Sequence, residues 1–114
     1  MILSFALTTE EFLSGKKTAT RRFFAERTIK SWQKAWDEER LIHKAYDKVA
    51  RVGGKQIGEF RLTCQPYLER LGDMPLADLE AEGGMVDTIE AFCELVGKSP
   101  DDECLVIRFE KEDG

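Results

Sequence analysis

The sequence predicts a single α+β domain built around a small curved sheet or barrel. Three observations lead there. Strand-like and helix-like segments are interspersed along all 114 residues. The spacers between neighbouring strand signals are too short for the helical crossovers of a parallel βαβ array. No repeat, low-complexity tract or Pro/Gly/Ser linker divides residues 1–114. Apolar content of 42% and charged content of 34% suit one ordinary globular core. A chain of this length can build that core without disulfides or metal.

Residues 1–7, Met-Ile-Leu-Ser-Phe-Ala-Leu, read as a first strand. Thr8 to Glu11 has capping-box spacing and opens a short helix through Phe12 and Leu13, which Gly15 can end as a left-handed residue. A second helix is expected from Glu26 to about Arg40, because Ala25, Ile29, Trp32 and Trp36 follow helical spacing. Two strands come next, around 45–52 and 56–64, joined by a tight turn at Gly53-Gly54. Ile57, Phe60, Leu62 and Cys64 do not share one parity, so a bulge is expected at Gly58. Pro66 and Pro75 break the following stretch into short helical pieces, with Asp73 as a cap. Asp87-Thr88-Ile89-Glu90 reads as a further capping box, for a helix whose apolar face is Ile89, Phe92, Cys93 and Val96 and which stops at Gly97. Residues 104–110 form an apolar closing strand.

Composition removes several function classes. No apolar run approaches the roughly 18 residues of a membrane span. The apolar start lacks a positive n-region and reads as a strand rather than a signal peptide. Cys64, Cys93 and Cys104 are odd in number and widely spaced, as expected of reduced, mostly buried thiols in a cytoplasmic protein. His43 is the only histidine, so a zinc site lacks partners. His43 itself is expected at the surface or as a capping residue. Gly53-Gly54 has no surrounding GxxxxGK[ST] frame and is a turn, not a phosphate loop. No metal and no cofactor is expected.

The chemistry concentrates in Ser14–Arg22, which packs Lys16, Lys17, Arg21 and Arg22 with the hydroxyls of Thr18 and Thr20. From Lys16 to Lys34, seven Lys or Arg face Glu26 alone, a local balance of +6 in a chain of net charge −5. A cationic island in an anionic protein points to a localised anion or nucleic-acid phosphate, the plainer alternative being a solvated basic loop. Lys16, Lys17, Arg21 and Arg22 can meet phosphate oxygens, the arginines in bidentate fashion. Trp32 and Trp36 are expected in the core rather than as a stacking platform, and Phe23-Phe24 should split, one ring in and one out.

Gly15-Lys16-Lys17-Thr18-Ala19-Thr20-Arg21-Arg22 resembles the signature of the ASCH domain, a small barrel of the PUA-like superfamily. Family members carry G-x-K-x-x-(T/E)-x-R after the first short helix. Gly15, Lys17, Thr20 and Arg22 match it here. A Glu-Gly pair late in the chain, here Glu82-Gly83, precedes a helix and a closing strand in the same order. The resemblance implies a PUA-like mixed β-barrel with flanking helices and a cleft binding RNA or a nucleotide-type ligand. Gly15, Lys16, Arg21 and Arg22 would contact the ligand. One branch of the family removes the acetyl group of N(4)-acetylcytidine with a lysine, a threonine and a glutamate. Lys17 and Thr20 match the first two, and Glu82 is the candidate for the third. Another member is described as a ribonuclease.

On the hydrolase reading Thr20 is the nucleophile, Lys17 its base, and Glu82 an orienting or proton-shuttling group. The simpler reading is a Lys17–Glu82 ion pair with Thr20 capping a turn. A different class also stays open, a protein-interaction module using the acidic surface. Substitution of Lys17 separates the three readings: it abolishes turnover in the first, weakens ligand in a binding protein, and leaves partner binding intact in the last.

Overall fold

The computed structural model of the chain describes residues 1–112. Its elements, in order, are β1 (Ile2–Ser4), α1 (Thr9–Leu13), β2 (Ala19–Arg22), α2 (Glu26–Asp37), β3 (Ile42–Tyr46), β4 (Gln56–Leu62), β5 (Tyr67–Arg70), α3 (Ala77–Ala81), α4 (Ile89–Val96) and β6 (Glu103–Glu112). The strands form one six-stranded mixed sheet in the order β1-β3-β4-β6-β2, with β5 also paired to β6. The β1–β3 pair is parallel and the others are antiparallel. No helix among the described residues is long and apolar enough to cross a membrane.

The last strand organises the sheet. Over its first half β6 is flanked by β2 on one edge and β5 on the other, and over its second half by β4. Side chains alternate across a strand. Leu105, Ile107 and Phe109 therefore enter one core with Leu3, Phe5, Phe12, Trp32 and Phe60, while Cys104 and Val106 enter a second with Leu71, Met74, Leu79, Phe92 and Cys93. Burial on both faces explains why the segment is apolar almost without interruption. β2 follows the same rule: the chain continues into Phe24, packed on the first core, and Phe23, packed on the second. The two rings do split, but each is half-buried on its own core, and Lys98 Nζ lies 5.0 Å from the Phe23 centroid.

The sheet is not closed into the expected barrel. β1 and β2 end the strand order without pairing. β1 has only three residues, and a side chain bridges the seam: Arg22 Nη2 donates to the Ser4 carbonyl at 2.7 Å. The seam stays open between the turn after β1 and the face of β2.

Several elements differ from the sequence expectation, each for a local reason. β1 stops at Ser4 because Phe5 is drawn into the core and its carbonyl accepts from Thr8 N and Thr9 Oγ1. Thr8 is the N-cap of α1, but without a side-chain capping bond, and Gly15 follows the helix with φ +81°. α2 ends at Asp37 rather than Arg40 through a Schellman turn, in which Arg40 N bonds Ala35 O and Glu39 N bonds Trp36 O. Glu39 takes the left-handed position, at φ 60°. The expected strand over 45–52 lies at Ile42–Tyr46, and Ala50–Val52 forms a 3-10 turn into Gly53. The expected bulge is present, since Ala45 pairs with Gly58 and Tyr46 with Gln56, leaving Ile57 as the extra residue. Residues 67–70 are the strand β5, not helix: Pro66 is buried at its entry, and the edge of β6 offers backbone partners. Asp73 does not cap α3, whose N-cap is Leu76. Its carboxylate instead accepts from Arg70. α4 is capped by Thr88 Oγ1 accepting from Ala91 N, with Gly97 at its end.

His43 is not at the surface. It is 3% exposed and packs on Trp32 and Phe60, with ring centroids 4.8 and 5.9 Å away. Its Nδ1 accepts from the Met1 amino group at 2.7 Å and its Nε2–H donates to the Arg40 carbonyl at 2.8 Å. Burial, with the nearby positive charges of the Met1 amine and Arg40, holds the imidazole below its ordinary pKa, against the opposing hydrogen bond to Arg40. In the unfolded chain it titrates near 6.5. The stability that neutral His43 contributes is thus complete above about pH 6.5 and is lost as the pH falls toward the depressed folded-state value. Urea unfolding between pH 7.5 and 5.5 should show a steeper fall for wild type than for His43→Gln; parallel falls would contradict a buried neutral imidazole.

Candidate functional site

The two faces of β2 carry different chemistry. Thr20 and Arg22 pair with Ile107 and Leu105 and share their face of the sheet, whereas Arg21 pairs with Val106 and lies on the face of Arg108. On the first face Arg22 Nε donates to Thr20 Oγ1 at 3.0 Å. The Arg22 guanidinium also stands 5.4 Å from the centroid of the Phe5 ring. Thr20 is therefore an acceptor within the sheet and not the cap of a turn.

On the second face the Arg21 side chain has no solvent exposure and meets three carboxylates. Its Nε and Nη2 donate to Glu69 Oε1 at 3.3 and 2.8 Å, Nη2 to Asp78 Oδ2 at 2.5 Å, and Nη1 to Glu82 Oε2 at 3.1 Å. Asp78 also accepts from Arg108 Nη2 at 2.6 Å, and Arg108 Nε donates to Tyr67 Oη at 3.1 Å. Burial alone would raise the Asp78 carboxyl, but hydrogen bonds from Arg108 and Arg21 outweigh it and hold the group below the usual carboxylate range. No buried side-chain N or O among the described residues is left without a partner.

Lys17 joins this network from before β2. Its backbone N–H bonds the Glu11 carbonyl, so the residue lies outside the strand alternation that would oppose it to Thr20. Lys17 is 3% exposed, and its Nζ donates to the Glu82 carbonyl at 2.6 Å and to Glu82 Oε1 at 3.2 Å. Burial pushes the Lys17 ammonium below its ordinary pKa; the charge and hydrogen bond of Glu82 pull the other way without cancelling it, and Arg22 adds to the lowering. Glu82 sits at the C-cap of α3, four residues after Asp78, so one face of a short helix presents both acids to β2. Gly83 follows at φ +125°, buried, where an added Cβ would lie 3.1 Å from Thr8 Cγ2. A glycine there lets the end of α3 approach the turn after β1.

These side chains meet at a pocket of about 220 Å³ in the open seam. Lys17, Thr20, Arg21, Arg22 and Glu82 supply its polar wall. Apart from Ser4 and Thr8, its other walls are apolar and include Phe5 and Phe92, with Leu7, Met85 and Leu95 among the exposed large hydrophobics of the chain. With Arg21 matched by Glu69 and Asp78, Lys17 and Arg22 against Glu82 leave the polar wall with an excess of positive charge. Lys17, Thr20 and Glu82, separated by up to 65 residues, are thus brought together, with Arg21 and Arg22 beside them.

Gly15 and Lys16 are not part of the pocket. Gly15 is exposed at the end of α1, and Lys16 Nζ pairs with Glu80 Oε1 at 3.1 Å on the surface. Arg21 lines the pocket, and four of its five N–H donors go to carboxylates, which makes it the anchor of Glu82. Sequence reading missed Asp78, Glu69, Arg108 and Tyr67, which complete the network, and the apolar walls from Leu7, Met85 and Leu95. The Asp78–Glu82 spacing was the available signal. Two of the cysteines are inert: burial pushes the Cys93 thiol up and that of Cys104 up to about 11. Among the described residues no group of His, Cys, Asp and Glu could hold a metal ion. Comparison with protein-family models, with curated proteins and with solved structures finds no match to this chain.

Removing one partner of a buried ion pair strands the other. Glu82→Ala should cost roughly 3–5 kcal/mol in urea unfolding, because Lys17 and one arm of Arg21 lose their carboxylate. Glu82→Gln, which keeps an acceptor oxygen, should cost less, and Lys16→Ala should leave stability nearly unchanged. Equal losses for Glu82→Ala and Lys16→Ala would contradict the network.

Proposed function

We propose that the protein binds a nucleoside- or nucleotide-type ligand, RNA included, in the pocket between the turn after β1 and the face of β2. The observation that carries this reading is the convergence of Lys17, Thr20, Arg22 and Glu82 on one small pocket with apolar walls. A flat heterocycle has apolar faces and a rim of hydrogen-bonding atoms, and the pocket offers a partner to each. Its volume falls below the ~300–1,000 Å³ of pockets that enclose a drug-sized ligand. It suits one ring, with the rest of a longer ligand remaining outside.

A second reading, hydrolysis of an acyl group on a cytosine-type amine, is favoured by the lowered Lys17 pKa beside Thr20. A neutral lysine amine has two N–H bonds and one lone pair. Glu82 accepts both N–H bonds, through its carbonyl and Oε1, which leaves the lone pair for the Thr20 hydroxyl proton. Thr20 Oγ1 then attacks the acyl carbon, and the guanidinium of Arg22, whose Nε donates to Thr20 Oγ1, lies close enough to stabilise the developing oxyanion. The resulting ammonium of Lys17 returns its proton to the departing amine nitrogen. Water releases the acid from the threonine ester in the second half-reaction.

The test is titration with cytidine by calorimetry and turnover of N(4)-acetylcytidine by chromatography, for wild type, Lys17→Met and Thr20→Val. Binding alone predicts that cytidine affinity falls about tenfold in Lys17→Met, with no turnover in any variant. The hydrolase reading predicts that turnover is lost in both variants. It also predicts that wild-type kcat/KM rises with pH as Lys17 loses its proton and levels off above its lowered pKa. Neither binding nor turnover by wild type would contradict both.

A further inference from the structure

The pocket continues into a second groove on the other side of Arg22. This groove, of about 330 Å³, shares Ser4 and Arg22 with the pocket and adds Phe24, Lys48, Val49 and Arg51. No Asp or Glu lines it. The neighbouring Asp47 does not line it, and its Oδ1 accepts from the Lys55 backbone N–H at 2.8 Å. Elsewhere Lys16, Lys30, Lys34, Arg40, Arg61 and Arg70 form ion pairs on the surface. Among the described residues Arg22, Lys48 and Arg51 form none and meet at one groove, whereas Arg27, Lys44, Lys55 and Lys98, also without an ion pair, do not line it. Arg22 stands at the junction, held by Thr20 Oγ1 on the pocket side and by the Ser4 carbonyl.

Three unmatched cations around a groove without acids favour an anion there. The groove's walls also include Ile2, Phe24 and Val49, whose apolar surface suits a sugar or a second ring next to that anion. We infer that the groove is a phosphate subsite contiguous with the ring pocket, in which Lys48 and Arg51 hold a phosphate of the ligand whose ring enters beside Thr20. The ligand is then a phosphorylated nucleotide or a nucleotide within a strand, not a free nucleoside. This rests on the nucleoside-type reading of the pocket and narrows it to one chemical class.

Calorimetric titration at low salt with cytidine, with cytidine 3′,5′-bisphosphate and with inorganic phosphate tests the subsite. The bisphosphate carries a phosphate on each side of the ribose, so strand polarity does not matter. Wild type should bind the bisphosphate about tenfold or more tightly over cytidine, the order expected for added charge-assisted contacts. The double variant Lys48→Ala/Arg51→Ala alters two exposed residues, and should lose that advantage while keeping its cytidine affinity and melting temperature. Equal wild-type affinities for cytidine and its bisphosphate would overturn the subsite and leave the ring pocket standing. An advantage that survives in the double variant would also overturn it, by placing the phosphate elsewhere. If cytidine and its bisphosphate both fail to bind, the pocket reading falls, and the titration with inorganic phosphate decides the groove. Weak phosphate binding lost in the double variant upholds the anion site, and no phosphate binding removes it.

Discussion

A guanidinium with no solvent exposure must find its acceptors inside the protein, and Arg21 finds them on two elements distant in sequence. Glu69 comes from β5, and Asp78 and Glu82 come from α3 and its C-terminal end. Taking these charges out of water is costly, and the geometry must be nearly complete to offset it. The requirement therefore fixes where α3 ends against β2. Lys17 has the same need and meets it through the same Glu82. One carboxylate thereby pairs with two buried cations and ties the segment before β2 to α3. Arg108 extends the network to β6 through Asp78. The apolar cores supply the bulk of the driving force, but they do not by themselves set this register.

The open seam of the sheet follows from the same arrangement. β2 gives one edge to β6, and one of its faces carries the buried Thr20 and the half-buried Arg22. The three residues of β1 end before they can pair with β2, and Arg22 spans the gap by its side chain. A closed ladder there would have used the backbone groups that now border the pocket. Positive side chains, a buried carboxylate and apolar walls come together at this one discontinuity in the sheet. The groove with Lys48 and Arg51 lies on the far side of the same Arg22 bridge. Ring pocket and anion groove are thus two halves of one opening.

Much of this was legible in the sequence where a local rule decides the outcome. The Trp32 stripe, the bulge beside Gly58, Gly97 as the stop of α4 and the apolar β6 each follow from spacing or from a residue's conformational range. Lys17, Thr20 and Glu82 were identified as partners, and they do share a pocket. What escaped depends on contacts distant in sequence. β5 has no strand signature strong enough to overcome the flanking prolines and exists because β6 offers an edge. The end of α2 carries Glu39 where a glycine would have marked it. His43 is buried because two partners and two aromatic rings surround it, none of which a lone histidine announces. Arg21 was read as a ligand contact, since nothing local distinguishes an arginine that meets phosphate from one that meets three carboxylates.

The central claim is that the opening beside Arg22 is where this protein meets its ligand. Amide chemical-shift mapping during titration with cytidine 3′,5′-bisphosphate tests it most directly. The account predicts saturable shifts confined to residues 2–8, 17–24, 48–52, 82–85 and 92–96, which border the pocket and its groove. Shifts centred instead on the basic face of α2, at Arg27, Lys30 and Lys34, or no saturable shifts at all, would contradict it.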